Sequence, residues 1–451
     1  MQPQMQSESQ PKLEDQPEGA TREVEPARWR LATRIAFRFA VVYFPLYTLW
    51  IPIHFISVRP VPQLFEKYHL IWQAMVPWVG KHLLHLHREV EMFPISTGSW
   101  DTIFNDIQVL CYLMVAAALT LIWSLLDRKR PNYEHLYQWF RLYLRLALAA
   151  VMIPYGAAKV FPLQFKPATL FTLLEPYGDS SPMHLLWTFM GASPIYSFFG
   201  GLAEIVGGIL LVVPRLTTLG ALICIGVVSN VFMLNLGYDV PVKVFSLHLI
   251  VIATLLVIPD LKRLADFFVF NRRVDPAPPR PLFRRTWLNR VVLILQVTFG
   301  IVLLGHDLHY SQREAARLLE SRLQAPLYGI WAVDEFTLDG QVRPPLLTDA
   351  VRWQRIIVED GESGVVQLMN GLPRRLDVHV DPGTKSLSMT LPNSMAWRAD
   401  FSYEQPQPDL LTLKGQADGR PVTATLHRVD ETRFLLNSRG FHWINEYPVV
   451  R

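Results

Sequence analysis

Cysteine is almost missing from this 451-residue sequence. Cys111 and Cys224 are the two present, and both sit inside apolar runs. No CxxC pair occurs, which argues against thiol chemistry of the thioredoxin kind. Residues 326–451 contain no cysteine, so that region folds without disulfides. Haem-attachment CxxCH, a flavin or dinucleotide glycine fingerprint and a cysteine set for an iron–sulfur cluster are all lacking, so nothing marks a redox centre of the chain's own. Charge is also scarce: 18% of residues are charged and 50% hydrophobic. A soluble domain usually carries about 25% charge. The formal net charge is only +4, and the excess base falls in short loops beside apolar runs. That is a topology signal, not a nucleic-acid surface.

The apolar surplus is concentrated between about residues 34 and 304 and predicts a polytopic α-helical membrane bundle of about seven spans. The first run is Ile35 to Ile56, with Arg38 near its start and expected to snorkel toward the headgroups. Six more cover 105–126, 141–162, 196–214, 216–237, 243–259 and 287–304. Residues 1–27, rich in Gln, Glu and Pro, read as a disordered tail, too polar and acidic for a signal peptide. Between Val61 and Leu86 the chain is too polar to span and reads as interfacial helix, with Trp72 and Trp78 at headgroup level. A second interfacial connection, 163–195, is marked by Pro162, Pro167, Pro176 and Pro182. The expected organisation is 28–140 for the first two spans and their outer loop, 141–262 for a four-helix core, 263–286 for a basic loop, and 287–325 for the last span and linker.

Basic clusters set the orientation. Arg28, Arg30 and Arg34 precede the first span; Arg128, Lys129 and Arg130 follow the second; Arg215 follows the fourth. The connection after the sixth carries Lys262, Arg263, Arg272, Arg273, Arg280, Arg284 and Arg285. With seven spans, a cytoplasmic N-terminus puts every cluster on the cytoplasmic face of a bacterial inner membrane, and the C-terminal region in the periplasm.

From about Tyr328 the pattern changes to period two. Nine runs, at 329–337, 351–358, 363–369, 373–380, 385–391, 397–404, 409–415, 421–428 and 433–444, are separated by Asp339-Gly340, Asp360-Gly361, Asn370-Gly371, Pro382-Gly383 and Asp418-Gly419. Short strands joined by tight turns predict an antiparallel up-and-down β-barrel over 326–451. Gly329-Ile330-Trp331 resembles the GxW element of lipocalin-like barrels. Such a barrel either holds a ligand or is filled with side chains. Arg439 to Glu446 reads as a last strand with inward aromatics.

Charged groups inside a span are costly and need an account. Glu204 lies mid-span among Gly200, Gly201, Gly207 and Gly208, and Lys159 near the outer end of its span with Tyr155 one turn earlier. Asn230, Asn235 and His248 fall at similar depth, as does His54. These seven residues from five helices form a candidate intramembrane polar site open to the outside; the alternative is that Lys159 and Glu204 tie two helices together and the Asn and His residues make interhelical hydrogen bonds. His82, His85 and His87 are a second candidate, either metal ligands or the solvated face of an interfacial helix.

Residues 141–260 resemble the DoxX superfamily of four-helix membrane proteins. The resemblance is carried by Tyr155-Gly156-Ala157-Ala158-Lys159, by Glu204 followed by Gly207-Gly208, and by the apolar run ending at Pro214-Arg215; the whole chain resembles longer DoxX-like proteins with flanking helices and a C-terminal β domain, whose tail Arg439 to Pro448 fits. That superfamily includes a subunit of a thiosulfate:quinone oxidoreductase and proteins linked to maturation or redox homeostasis. The resemblance therefore implies a membrane component of a redox pathway, with quinone as its cofactor or substrate and a partner subunit carrying electrons. In that reading Lys159 and Tyr155 donate to a quinone carbonyl, and Glu204 or His248 exchanges protons. Two other readings stay open: a lipid or small-amphiphile binding or transport protein, and a non-catalytic scaffold for a membrane complex.

Overall fold

Apolar runs become helices in the computed structural model, which describes residues 28–49, 61–90, 101–277 and 280–450. Among them the helices are α1 (Leu31–Thr48), α2 (Val61–His82), α3 (Ile103–Leu126), α4 (Glu134–Val160), α5 (Pro182–Ala192), α6 (Pro194–Val212), α7 (Thr217–Gly237), α8 (Lys243–Val257), α9 (Leu261–Phe268) and α10 (Thr286–Gln324). Six are long and apolar enough to cross a bilayer: α3, α4, α6, α7, α8 with its continuation through α9, and α10. The chain is a multi-pass membrane protein. The expected first span, Ile35 to Ile56, is represented by α1, which ends at Thr48 and is not among the six; residues 50–60 and the tail 1–27 lie outside the described residues. The last span is longer than expected, 39 residues in one helix that carries the chain out to the β domain.

Arg38 does not snorkel. It is 1% exposed, donating from Nε and Nη2 to Tyr133 Oη (2.8 and 2.7 Å), from Nη1 to Ser124 Oγ (2.8 Å) and from Nη2 to the Asp127 carbonyl (2.7 Å). It thus ties α1 to the C-terminal end of α3, where helix carbonyls lack intrahelical partners. Arg145 does the same inside the bundle, donating to the Leu211 and Val212 carbonyls at the end of α6, both at 2.8 Å. Trp72 is buried against Tyr112, whereas Trp78 is exposed.

The tightest helix pair is α4 with α6. A Cβ added at Gly156 would lie 2.6 Å from the Gly201 carbonyl oxygen, and one at Gly201 would lie 2.5 Å from the Gly156 carbonyl oxygen. Further along, Gly208 faces Ile153 and Gly207 faces Cys224 of α7. Without a hydrophobic drive between helices in lipid, such close contact supplies the dispersion energy that holds a bundle.

The C-terminal region is a closed eight-stranded antiparallel barrel. Its strands are β1 (Gly329–Leu338), β3 (Trp353–Val358), β4 (Ser363–Leu368), β5 (Pro373–Asp381), β6 (Ser386–Leu391), β7 (Ser394–Gln407), β8 (Leu410–Ala417) and β9 (Arg420–Arg428), with a two-residue β2 (Gln341–Val342) flanking β1. Each strand pairs with the next, and β1 pairs with β9 from Trp331↔Arg428 to Leu338↔Val422, so no long edge is left. Asp339-Gly340 and Asp418-Gly419 adopt positive φ at both positions, as two-residue hairpin turns require. The interior is filled: Trp331, Phe336, Trp353, Met389, Phe401, Leu413 and Leu426 are all buried in one core. The expected ninth strand, 433–444, does not form. Residues 431–433 make a 3₁₀ turn, Leu435–Ser438 a one-turn helix, and the aromatics beyond lie outside the barrel.

The barrel sits on the connection between α4 and α5. Leu170 packs with Ile330, Ile357 and Val365, joined by Phe171, Leu174, Val429 and Phe434. Glu359, in the β3–β4 turn, accepts from the Phe171 backbone N–H at 2.9 Å. Burial holds its carboxyl above the ordinary value of 4.5, opposed by the Phe171 and Leu170 amides and by Arg322. The docked state therefore holds a proton more firmly than the undocked state. Docking is strongest below the ordinary carboxylic value and weakens as pH rises through the raised one.

Two predictions follow from this packing. Gly201→Val should destabilise the bundle by about 1–3 kcal/mol or more, because backbone blocks the new side chain. Gly226→Ala, which faces open space, should be tolerated; thermal unfolding in detergent compares the two. In hydrogen exchange corrected for intrinsic rates, protection of the Phe171 amide should fall with rising pH in the wild type and become flat in Glu359→Gln, which keeps an acceptor. An unchanged profile in the variant would remove Glu359 from the contact's pH response.

Candidate intramembrane polar site

Serine–proline steps set the register of the site. Ser181 and Ser193 cap α5 and α6, accepting from the amides of His184 (3.1 Å) and Tyr196 (3.4 Å), with Pro182 and Pro194 at the first helical position. The cap at Ser193 fixes where α6 begins and hence which face Glu204 presents. That face meets the last turn of α4. Lys159 Nζ lies 2.6 and 2.7 Å from the two carboxylate oxygens of Glu204, and the side chains are 7% and 5% exposed. The glycine contact creates this meeting: a Cβ at Gly201 would fall 2.9 Å from Lys159 Cβ. Tyr155 lies one turn before Lys159, with its ring centroid 5.8 Å from Nζ and 6.4 Å from the ring of Phe245.

The other described residues of the predicted site do not join them. Asn235 is buried, but its amide donates to Ser246 Oγ (3.1 Å) and the Val242 carbonyl (3.4 Å), tying the α7–α8 turn. Asn230 is exposed on the outer face of α7. His248 belongs to a cluster with α1: its ring stacks on Tyr47 at 3.9 Å, and Nε2 lies 2.6 Å from Tyr43 Oη. Nδ1 is 2.7 Å from the Val244 carbonyl, which can only accept, so Nδ1 carries the hydrogen and Tyr43 donates to Nε2. His54 lies outside the described residues. The expected single cavity is therefore replaced by separate interhelical ties, because shared depth does not mean a shared helix face.

The histidines of the run have local roles. His82 caps its own helix, with Nδ1 3.0 Å from the Trp78 carbonyl and its ring stacked on Trp78. His85 turns the chain with a φ of 53°. Among the described residues no three His, Cys, Asp or Glu side chains are grouped to hold a metal ion.

Several polar groups were not picked out from sequence. Asp101 accepts from the amides of Lys243 (2.7 Å) and Val244 (3.2 Å) at the start of α8, a carboxylate placed where the helix dipole favours it. It lies in a polar stretch with no motif around it. Asp260, 4% exposed, accepts from Thr218 and Arg263 and lies 3.7 Å from Arg141, joining α4, α7 and α9 at the opposite end of the bundle. Asp307 is buried in α10, with one carboxylate oxygen 3.2 Å from the His306 ring. It falls beyond the predicted end of the last span. Arg145 was detectable as a charge within an apolar run.

The ion pair behaves as a unit. Lys159→Met alone should cost about 3–5 kcal/mol by leaving Glu204 buried and unpaired, whereas Lys159→Met with Glu204→Met should recover most of it. Unfolding of the single and double variants in detergent completes the cycle. A loss in the double variant equal to the sum of the losses in Lys159→Met and Glu204→Met alone would show that the two residues are not coupled.

The chain matches no family model, and no solved structure matches it. It is 32% identical over 141 residues to the uncharacterised protein YwoB of Bacillus subtilis (strain 168), a stretch that makes up 31% of this chain and 87% of that protein. Through that stretch the chain belongs to the family of YwoB.

Proposed function

We propose that this chain is a DoxX-like membrane component of a quinone-linked redox pathway, acting as its non-catalytic platform. The bundle holds the barrel at the membrane surface, and a partner subunit there carries the electrons. The observation that carries this reading is how the polar groups are used. Lys159 and Glu204 satisfy each other, Asn235 is bonded to Ser246, and both ring nitrogens of His248 have partners. Groups engaged in this way hold helices together, and Lys159, Asn235 and His248 direct their donors at protein partners. The filled barrel core supports the same view, since a packed barrel offers its outside as a docking surface.

The membrane is the bacterial inner membrane, with the N-terminus cytoplasmic and the barrel periplasmic. Support comes from the basic residues. Arg141, Arg263 and Arg280 gather around Asp260 at the end of the bundle away from the barrel, as an excess of base on the cytoplasmic side requires.

The test is purification of the full chain in mild detergent, followed by mass spectrometry of bound small molecules and co-purifying proteins. A cofactor-bearing partner subunit should copurify, and the folded Lys159→Met/Glu204→Met variant should retain both the partner and the quinone-linked activity of the complex. Quinone retained by the chain alone and lost in that folded variant would replace the platform with a quinone site. A retained lipid in place of quinone would favour the amphiphile-binding reading.

A further inference from the structure

The last residues of the chain carry a run of large apolar side chains that the barrel does not use. Phe441 is 73% exposed, Trp443 88% and Tyr447 82%, and Ile444 and Val450 are as open. Polar and charged neighbours, Arg439, His442, Asn445 and Glu446, alternate with them. Barrel closure does not need this segment, because β9 already pairs with β1. Exposed large apolar side chains grouped in one short segment mark an interaction surface.

Position identifies the partner. β9 ends at Arg428, on the rim where β1 begins, and that rim is the one docked on Leu170 and Phe171. Phe434 packs into the same junction. The tail therefore leaves the barrel at its membrane-proximal rim, continuous with the contact to the membrane domain. The opposite rim, with the Asp339-Gly340 and Asp418-Gly419 turns, is a full strand length away. About 20 residues of α10 cross a hydrocarbon core of about 30 Å, leaving roughly half of the helix to lift the barrel. Leu435–Ser438 is helical, so the extended chain reaches at most roughly 17 Å from Ser438 to Trp443 and roughly 30 Å from Ser438 to Tyr447, toward the headgroups. Trp, Tyr and Phe mixed with Arg, His and Asn is the composition that settles at a membrane–water interface.

We propose that residues 439–450 form an interfacial anchor that inserts Phe441, Trp443 and Tyr447 into the headgroup region of the bilayer. With α10 and the connection bearing Leu170, it gives the barrel a third point of attachment and so fixes its tilt. This inference does not depend on the redox reading.

The experiment uses the full chain in nanodiscs of phosphatidylcholine and phosphatidylglycerol. Trp443→Cys and, as a control on the distal rim, Asp418→Cys are each labelled with an environment-sensitive fluorophore; the native Cys111 and Cys224 are fully buried, and the unsubstituted chain taken through the same labelling gives the background. Replacing the lipids with brominated ones should quench the label at position 443 several-fold more than the label at position 418, with a blue-shifted emission at 443 alone. Equal, weak quenching at both positions would overturn the proposal. So would a label at 443 that is blue-shifted yet not quenched by brominated lipid, because its apolar surroundings would then be protein.

Discussion

Two helices that cross within backbone contact leave no space for water or lipid between them. Where α4 meets α6, Gly156 and Gly201 bring the carbonyl of each helix to the surface of the other. Any polar side chain beside that contact must find its partner across it. Lys159 and Glu204 do so, one turn from the crossing. The attraction of such a pair is large in a low-dielectric interior and is offset by the desolvation of both charges. Its net contribution to stability is therefore modest, but its contribution to register is large. A slip of one residue along α6 would turn Glu204 toward lipid and leave Lys159 alone, so the pair selects one crossing from the several that glycine-rich faces allow.

The same economy governs the helix ends. A helix that stops inside or at the edge of the bilayer leaves carbonyls that water cannot reach, and arginine has the donors to meet several of them. Arg145 takes the end of α6, and Arg38 takes the end of α3 together with Tyr133 and Ser124. Asp101 answers the opposite need at the start of α8. These charges pin the lengths and ends of the spans, and the glycine contacts pin their spacing. The outcome is a rigid base, on which a barrel docked through Leu170, Phe171 and Glu359 is held in one place.

Composition and periodicity made much of this architecture legible. The spans from Ile103 onward appear as apolar runs because a bilayer demands them. Eight of the nine predicted strands appear because alternation and Asp-Gly or Asn-Gly turns leave the backbone few alternatives. The ninth was misread. Arg439 to Glu446 has the alternation of a strand but lacks a neighbour, since β1 and β9 had already closed the barrel. Arg38 was misread for a related reason: a charge near a helix end snorkels only if its face looks outward, and this one faces Tyr133.

The polar site divides along the same line. Depth follows from position in a span, so the sequence by itself determined that Lys159, Glu204, Asn235 and His248 lie within the membrane layer and must each find a partner. Azimuth depends on which helix packs against which face, and that is fixed by contacts between residues far apart in the chain. Only the tertiary structure therefore decided that Lys159 meets Glu204, that His248 turns instead to Tyr43 and Tyr47 of α1, and that Asn230 faces outward. Periodicity reports how a segment relates to its surroundings, whereas partner choice is a property of two surfaces at once.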